Sequence, residues 1–482
     1  MSNLKYFFEP NSVAIIGASG RDGSVGNVLL RNFLSKKFKG RVYPVNPHYG
    51  EILGRKCYPS IIDIPDEIDM AVIATPAHIV PRVLKECAEK KVKSVVIISG
   101  GFSEIGEEGR RREEEVVKIA KESNIRIIGP NCVGVFDSKT GVDTVFLPRY
   151  KLNRPEAGPI AFISQSGAFA SAMMDWCASV RLGISKMISL GNKCDVDEAE
   201  LLEFLAEDED TKVIVLYIEG FKENEGRKFI DAARKVVLRK PIIAIKSGRS
   251  RGGARAVSSH TGALAGVDQV YDAAFKQAGV IRAKNFEEAF DLAKALFMQP
   301  VARGPRVLIV TNGGGAGVMA VDACEELGLC VPELPPEIQR RLYTKYPPHC
   351  IVKNPVDVTG DTDALRYRIA LEDVLPTEHV DTAMVIMLFT APLLDLTVVD
   401  HIADIADSVG KPIVTVVMGG MFAMRAAELL EENNIPAYPT PERAAKALWA
   451  LHEYHRRREE IRKILFGESG YALKKRGVKS NE

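Results

Sequence analysis

The residue in this sequence best suited to carry a transferred group is His260. It lies among small residues, in the segment Val257-Ser-Ser-His260-Thr-Gly-Ala-Leu-Ala-Gly266, which would leave its imidazole accessible. A neutral imidazole is a competent nucleophile and can carry a phosphoryl group. The preceding basic stretch, Lys246-Ser-Gly-Arg249-Ser-Arg251, could attract a phosphorylated substrate. Taken alone, however, a single loop histidine favours an interpretation without chemistry.

An acidic residue, Glu219, directly follows the apolar run 213–218. A carboxylate at the end of a buried strand is costly unless it has a partner. Such a carboxylate could hold one imidazole nitrogen so that the other attacks. The alternative is a solvated strand end.

Two further segments have the form of a small-residue entrance to a helix after a buried strand. The first contains Ser164, Ser166 and Gly167, and the second contains Gly313, Gly314 and Gly315. Backbone N–H groups and the helix dipole at such an entrance can bind an oxyanion. Two of them in different domains suggest one phosphate held between them, although two tight helix starts would look the same.

A glycine-rich loop, Gly17-Ala-Ser-Gly20-Arg-Asp-Gly23-Ser-Val-Gly26, lies between an apolar strand and a helix. This setting favours a nucleotide site, against a turn that merely packs helix on strand. An NAD site needs an acid at the end of the second strand, but this strand ends in Asn46. A ligand with a phosphorylated ribose, NADP or coenzyme A, fits better.

Loops after later strands contain Thr75, Pro76, Asn131 and Cys132. Ligands of open α/β sheets bind at those strand ends, but ordinary turns remain an alternative. Cys132 is a nucleophile only in principle, since no histidine is near it in sequence.

The elements that position these residues repeat a strand–helix rhythm. Short runs rich in Val and Ile, such as 13–16, 41–45 and 70–74, alternate with charged, helix-like segments. Continuous apolar runs are typical of parallel strands buried on both faces. The rhythm restarts after about residues 148 and 300, which predicts domains at 1–148, 149–300 and 301–465 with a polar tail at 466–482.

Composition excludes several classes of protein. The 482 residues are 46% hydrophobic and 26% charged with a net charge of +1, so an overall basic footprint for nucleic acid is absent. Eight cysteines without a CxxC motif suggest reduced thiols and a cytoplasmic protein. No signal peptide or stretch long enough for a membrane helix is evident, and the histidines form no metal-ligand pattern.

Six motifs, in order, carry a family resemblance over roughly residues 5–465: GASG…VG, IGPNCVG, ISQSGAFA, YIEG, SSHTGALAG and TNGGGAG. With them the chain resembles the alpha subunits of ADP-forming acetyl-CoA synthetases, within the succinyl-CoA synthetase superfamily. The resemblance implies an α/β fold with three doubly wound parallel-sheet domains. These would be a Rossmann-like CoA-binding domain and two flavodoxin-like CoA-ligase domains, the first of them carrying the phosphohistidine.

The resemblance also implies roles for particular residues. His260 would be the phosphorylated histidine and Glu219 its supporting acid, while the two helix entrances, with Ser164, Ser166, Gly167, Gly313, Gly314 and Gly315, would bind phosphate. Coenzyme A, a substrate, would be bound by Gly17, Ser19, Gly20, Gly23, Val25, Gly26, Asn46, Thr75, Pro76 and Asn131.

The implied reaction has three steps. Acyl-CoA and phosphate give acyl phosphate and CoA, His260 takes the phosphoryl group and releases the acid, and ADP receives the group. The nucleotide and its Mg²⁺ would bind a separate ATP-grasp beta subunit, in an assembly of two alpha and two beta subunits. Acetate is the default acid, with branched, aryl or dicarboxylic acids left open. Two rivals are an NADP-linked oxidoreductase and a non-catalytic CoA-binding regulatory protein.

Overall fold

The computed structural model describes residues 3–255 and 267–475. His260 therefore lies outside the described residues. The chain divides into two compact units, Met1–Arg282 (unit 1) and Ala283–Glu482 (unit 2). In the described residues, unit 1 is built on two large sheets and unit 2 on one.

Unit 1 begins with the elements that form its first sheet. The strands are β1 (Ser12–Ile16), β2 (Arg41–Val45), β3 (Glu51–Ile52), β4 (Arg55–Lys56), β5 (Met70–Ile73), β6 (Ser94–Ile97) and β7 (Arg126–Ile128). The helices are α1 (Val25–Phe33), α2 (Val80–Glu89) and α3 (Glu107–Ser123), with 3₁₀ turns at Asn3–Phe7, Ile61–Asp63, Ala77–Ile79 and Ser103–Ile105. The first sheet has the order β2-β1-β5-β6-β7 and is parallel throughout. Strands β3 and β4 form a separate antiparallel hairpin.

The second sheet follows in the same unit. Its strands are β8 (Gly134–Asp137), β9 (Ala157–Ser164), β10 (Ile184–Ser189), β11 (Val213–Ile218), β12 (Ile242–Lys246) and β13 (Ile281–Ala283). The helices are α4 (Gly167–Ser179), α5 (Glu198–Glu207), α6 (Glu225–Val236) and α7 (Asp268–Ala278). The sheet order is β13-β12-β11-β9-β10-β8, and β8 is antiparallel to β10.

Unit 2 contains the third sheet. Its strands are β14 (Val307–Thr311), β15 (Val356–Asp357), β16 (Thr382–Leu388), β17 (Ile413–Met418) and β18 (Ala437–Tyr438). The helices are α8 (Phe286–Met298), α9 (Gly314–Glu326), α10 (Pro336–Tyr343), α11 (Ala364–Val374), α12 (Thr397–Val409), α13 (Met421–Glu432) and α14 (Pro441–Lys475). The order β15-β14-β16-β17-β18 is parallel throughout.

The predicted fold class is confirmed, because three mainly parallel sheets are flanked by helices. Strands β1, β5, β6 and β14 are buried along their whole length, as continuous apolar runs predict for strands covered on both faces. Strand β8 already belongs to the second sheet, and α8 lies in unit 2. The predicted domain boundaries at 148, 300 and 465 stay predictions.

Each sheet reverses its strand order beside one central strand. Strand β1 lies between β2 and β5, β9 between β10 and β11, and β14 between β15 and β16. At each reversal the connections leave the sheet toward opposite sides, which opens a crevice at the carboxyl ends of the strands. All three motifs with glycine or serine at a helix entrance follow one of these central strands.

An ion pair joins the two sheets of unit 1. Arg126, which begins β7, donates from Nε to Asp195 Oδ2 at 2.9 Å and from Nη2 to Glu200 Oε2 at 2.7 Å. The same Asp195 oxygen accepts the backbone N–H of Ile127 at 2.8 Å. Both side chains of the Arg126–Asp195 pair are about four-fifths buried, so the carboxylate holds a strand of one sheet to a loop of the other.

We expect Asp195→Ala to lower the free energy of unfolding by about 3 kcal/mol, because it leaves a half-paired guanidinium and an unpaired backbone N–H. Urea denaturation followed by circular dichroism measures this loss. The control is Glu115→Ala, which removes an exposed pair with Lys85 and should cost less than about 1 kcal/mol. Equal losses in both variants would contradict the assignment.

Candidate active site

A cleft of about 1070 Å³ opens in unit 1 where several strands end. Residues 131–133, 165–168, 191–193 and 219–222 line it, and these segments follow β7, β9, β10 and β11 in that order. Residues of α3 and of the turn at Ser103–Ile105 also line it. The cleft therefore lies at the strand-order reversal of the second sheet.

The cleft brings together five residues that the sequence analysis singled out: Asn131, Cys132, Ser166, Gly167 and Glu219. Its lining does not include the residues of the glycine-rich loop, Asn46, Thr75 or Pro76. Asn131, predicted to bind coenzyme A, thus lies beside the residues predicted to bind phosphate.

The start of α4 is shaped by two serines. Ser164 is fully buried, and its hydroxyl donates to Ser166 O at 2.7 Å and accepts from Ser166 N at 3.1 Å. Ser166 caps the helix by accepting the N–H of Phe169 at 3.3 Å. Gly167 begins the helix with its Cα hydrogen facing Val133, since a Cβ there would lie 2.9 Å from a Val133 methyl group. The first N–H groups of the helix have no partner within it, and Gly167 and Ala168 line the cleft.

Glu219 lies on the opposite side of the strand-order reversal. It directly follows β11, is 6% exposed and lines the cleft. Lys246 Nζ donates to the carbonyl oxygen of Glu219 at 2.9 Å and lies 4.5 Å from the ring centre of Tyr271. Burial lowers the pKa of Lys246. The Glu219 backbone is therefore held from the neighbouring strand β12.

A polar network connects the loops around Asn131. Asn131 Nδ2 donates to Asn192 Oδ1 at 3.2 Å, and Asn192 Nδ2 lies 2.6 Å from Glu104 Oε2 and 3.0 Å from Glu113 Oε2. Burial raises the pKa of Glu104, but hydrogen bonds from Asn192 and from backbone N–H groups outweigh it, so the pKa lies below its ordinary value. Glu104 is accordingly a carboxylate at neutral pH.

The buried cation in the cleft wall, Lys193, is already neutralised. Its Nζ lies 2.9 Å from Glu198 Oε2 and 2.7 Å from Glu225 Oε2. Burial lowers the pKa of Lys193, but the two carboxylates outweigh it and raise the pKa above its ordinary value. Lys193 thus stays charged and contributes little net charge to the cleft.

The glycine-rich loop packs tightly at the strand-order reversal of the first sheet. A Cβ on Gly17, which has a φ of +88°, would lie 2.6 Å from Ala74 O, and one on Gly26 would lie 2.0 Å from Gly17 O. Asn46 Nδ2 donates to Ala18 O at 2.8 Å, so this residue fixes the loop. Thr75 Oγ1 is buried without a hydrogen-bond partner among the described residues.

The remaining residues of this loop have local roles or open surroundings. Ser19 Oγ accepts the N–H of Arg21 at 3.1 Å, and a Cβ on Gly20 would lie 3.2 Å from the Tyr49 ring. Val25 begins α1 and is 39% exposed. Gly23 lines a smaller cleft of about 470 Å³.

The start of α9 in unit 2 repeats the geometry of α4. Thr311 Oγ1 donates to Gly313 O at 3.1 Å and accepts from Gly313 N at 3.0 Å, as Ser164 does with Ser166. Gly313 is the N-cap residue. A Cβ on Gly314 would lie 3.1 Å from Asp357 Oδ2, whereas one on Gly315 would meet nothing within 4 Å.

Cys132 is unsuited to nucleophilic chemistry. It is 3% exposed, and burial raises the pKa of its thiol to about 12. A thiol in that state is almost entirely protonated at neutral pH and therefore a poor nucleophile.

Sequence reasoning missed Gln165, Asn192 and Glu104, which all line the cleft. Gln165 stands inside the motif Ser164-Gln-Ser166-Gly167, and Asn192 directly follows the turn at Gly191 after β10. Polar residues just beyond the end of a parallel strand were the available signal for both. Nothing local to Glu104 marks it, because its contact with Asn192 joins two distant segments.

The described residues contain no group of three or more His, Cys, Asp or Glu side chains arranged to hold a metal ion. Their helices include none long and apolar enough to cross a membrane.

Three family models match consecutive segments of the chain. They are a CoA binding domain at 11–137, a succinyl-CoA ligase like flavodoxin domain at 157–296 and a Ligase-CoA domain at 307–461. Together with the glycine-rich loop and the two helix entrances, they define the class: CoA ligases of the succinyl-CoA ligase type.

Individual relatives narrow this class. The acetate–CoA ligase [ADP-forming] I subunit alpha of Pyrococcus furiosus is 46% identical, over 94% of this chain and 98% of that protein. An acetate–CoA ligase [ADP-forming] of Methanocaldococcus jannaschii is 42% identical, over 94% of this chain but only 63% of the longer relative. The dinucleotide forming acetyl-coenzyme A synthetase 1 of Ca. Korarchaeum cryptofilum, solved in complex with phosphate and ADP, matches with a TM-score of 0.89 and 39% identity over 96% of this chain and 99% of that one.

The chain therefore belongs to the family of the alpha subunits of ADP-forming acetate–CoA ligases, which are acid–thiol ligases. This confirms the resemblance inferred from the six motifs.

We expect Gly26→Ala to weaken coenzyme A binding at least about tenfold and to destabilise the protein by about 1–3 kcal/mol, because the new methyl group would overlap Gly17 O. Isothermal titration with coenzyme A and thermal unfolding measure the two effects. Gly50→Ala is the matched control, since a Cβ there meets nothing within 4 Å. Unchanged binding by a folded Gly26→Ala variant would rule out this loop as the binding site.

Proposed function

We propose that this chain is the alpha subunit of an acetyl-CoA synthetase that interconverts acetyl-CoA, phosphate and ADP with acetate, CoA and ATP. The observation that carries the proposal is the cleft in which the α4 helix start and Glu219 line the same space. Family membership supports the overall reaction. The individual steps and the residues that perform them belong to the proposal.

Coenzyme A fits the strand-order reversal of the first sheet. Gly17 and Gly26 let the loop pack closely against Ala74 O and Gly17 O, which brings the start of α1 near the end of β1, where a phosphate would bind. The Thr75 hydroxyl, which has no hydrogen-bond partner among the described residues, could donate to and accept from the bound molecule. Asn46 does not supply the acid that an NAD ribose needs, which favours CoA over NAD.

The first chemical step would occur in the cleft. A phosphate oxygen attacks the thioester carbonyl carbon, the C–S bond breaks, and the CoA thiolate leaves with the proton from phosphate. Ser166 and Gly167 would hold the phosphate with backbone N–H groups and the positive end of the α4 dipole. The helix start at 313–315 has matching geometry and would bind an anion in the same way.

The second step would transfer the phosphoryl group to His260. One imidazole nitrogen attacks phosphorus, the bond to the acyl oxygen breaks, and acetate leaves. Glu219 would accept the hydrogen bond of the other ring nitrogen, which fixes the tautomer and offsets the charge that develops on the ring. Positioning and charge stabilisation supply most of the catalysis in phosphoryl transfer.

The third step requires a partner. About a third of the longer relative's own length lies outside its match to this chain, whereas the relative matched over 98% of its length is named a subunit alpha. We propose that a separate ATP-grasp beta subunit corresponds to the unmatched third and binds ADP with Mg²⁺, in an assembly of two alpha and two beta subunits. Phospho-His260 would carry the phosphoryl group to the beta subunit.

The eight cysteines are all unpaired, which is consistent with the cytoplasmic location we propose.

We expect the unmodified chain, given acetyl-CoA and radiolabelled phosphate, to acquire acid-labile, base-stable label, and His260→Ala to acquire none. A phosphohistidine has this stability pattern, and the variant lacks the accepting nitrogen. The measurement is the label that remains on protein after acid and after base, with the partner subunit added in a parallel sample. Equal label on the variant would refute His260 as the carrier. Coenzyme A binding without label in either sample would favour the non-catalytic regulatory alternative.

We expect Glu219→Gln to lower the rate of phosphoenzyme formation by about 10²–10³-fold, the size of effect seen when a positioned electrostatic group is removed. The change keeps the side-chain size, so coenzyme A affinity should stay the same. Rapid-quench labelling measures the rate, and titration with coenzyme A provides the control. A rate within about twofold of the unmodified chain would remove Glu219 from the mechanism.

A further inference from the structure

The side-chain amide of Gln165 bridges the strand-order reversal of the second sheet. Its Oε1 accepts the backbone N–H groups of Glu219 at 2.6 Å and Gly220 at 2.9 Å. Its Nε2 donates to Gly220 O at 2.8 Å and to Glu198 Oε1 at 2.6 Å. The opposite orientation of the amide would turn donors toward donors, so these four contacts determine it.

These contacts fix the residue that the proposed mechanism uses. Glu219 is held through its N–H by Gln165, at the end of β9, and through its carbonyl by Lys246, at the end of β12. Strand β11 lies between β9 and β12 in the sheet. The backbone that carries the carboxylate is therefore clamped from both neighbouring strands.

The amide is itself anchored. Glu198 is 2% exposed, and Lys193 Nζ holds its other oxygen at 2.9 Å. Glutamine suits position 165 because the side chain there must accept hydrogen bonds from two N–H groups and donate hydrogen bonds to two oxygens. A carboxylate at position 165 would face Glu198 with a second negative charge, and a lysine would face two N–H groups.

Unit 2 contains the same kind of side-chain amide bridge at the corresponding position. Asn312 follows β14 as Gln165 follows β9, and its side-chain amide accepts from Leu388 N at 2.8 Å and donates to Leu388 O at 3.0 Å. Leu388 ends β16, the strand across the reversal from β14. A bridging amide beside the helix entrance thus occurs twice in the chain.

We infer that Gln165 is a positioning residue that sets the distance between the Glu219 carboxylate and the phosphate-binding start of α4. The inference rests on the role proposed for Glu219. Gln165 directly precedes Ser166 in the helix entrance, and its side chain accepts the backbone N–H of Glu219. One residue therefore connects the acid to the proposed anion site.

The test is a double-mutant cycle of Gln165→Met and Glu219→Gln, read out as the rate of phosphoenzyme formation in the chain with its partner present. Methionine keeps the length of glutamine and removes all four hydrogen bonds. We expect Gln165→Met alone to slow the reaction about 100-fold, the cost of a misplaced catalytic group. In the Glu219→Gln background the same change should cost less than about fivefold, because the group that it positions is already absent. Equal losses in both backgrounds, or no loss in a folded Gln165→Met variant, would overturn the inference.

Gln299→Met is the matched control. The Gln299 amide also bridges two backbone segments, accepting from Ile413 N at 2.8 Å and donating to Asn434 O at 2.7 Å, at the amino end of β17. Gln299→Met should lower thermal stability without changing the rate.

If Gln165→Met does not fold, Gln165→Glu is compared with the exchange Gln165→Glu/Glu198→Gln. The exchange restores an amide–carboxylate pair and should recover part of the rate, and no recovery would overturn the inference. Absence of label on the unmodified protein would instead count against the proposed function.

Discussion

The reversal of strand order beside β1, β9 and β14 is the constraint on which the sites in this protein depend. Parallel strands end at one edge of a sheet, and connections that leave a central strand in opposite directions cannot cover the space above its end. Each of the three sheets therefore has a crevice whose first residue is the one after the central strand. Gly17, Gln165 and Asn312 occupy these three places.

The three crevices differ in the residue that follows the central strand. In the first sheet Gly17 brings backbone against backbone, with Ala74 O too near to permit a side chain, and the bridging amide comes from Asn46, after the neighbouring strand β2. In the other two sheets a side-chain amide joins the central strand to its neighbour. That junction leaves a helix N-terminus beside a fixed strand end, which suits a small anion held between rigid groups.

Sequence reasoning predicts the parts of this arrangement that depend on residues close together in the chain. Apolar runs predict the buried strands, and the small residues after β9 and β14 predict the helix entrances, because strand, turn and helix follow one another directly. It also identifies Glu219 as an acid at a strand end. It does not predict the contact between Gln165 and Glu219, because they are separated by 54 residues. It also does not predict the Asn131–Asn192–Glu104 network, because hydrogen bonds between distant loops leave no periodicity in the sequence. The family resemblance implies what individual residues do, but the fold determines where those residues lie.

The charge balance of the cleft is compatible with the phosphoryl transfer that we propose. A full cation beside the anion would stabilise bound phosphate and transition state alike, and uniform binding does not speed the chemical step. Here the buried cation, Lys193, is neutralised by Glu198 and Glu225. Apart from Glu219, the other charged residues of the lining balance in number, with the cations Arg110, Lys118, Lys121 and Lys222 beside the carboxylates Glu104, Glu113, Glu114 and Glu122. The backbone N–H groups at the start of α4 add a directional attraction for the proposed anion that carries only partial charge. Such a site can orient a phosphoryl group for attack and still release it for onward transfer.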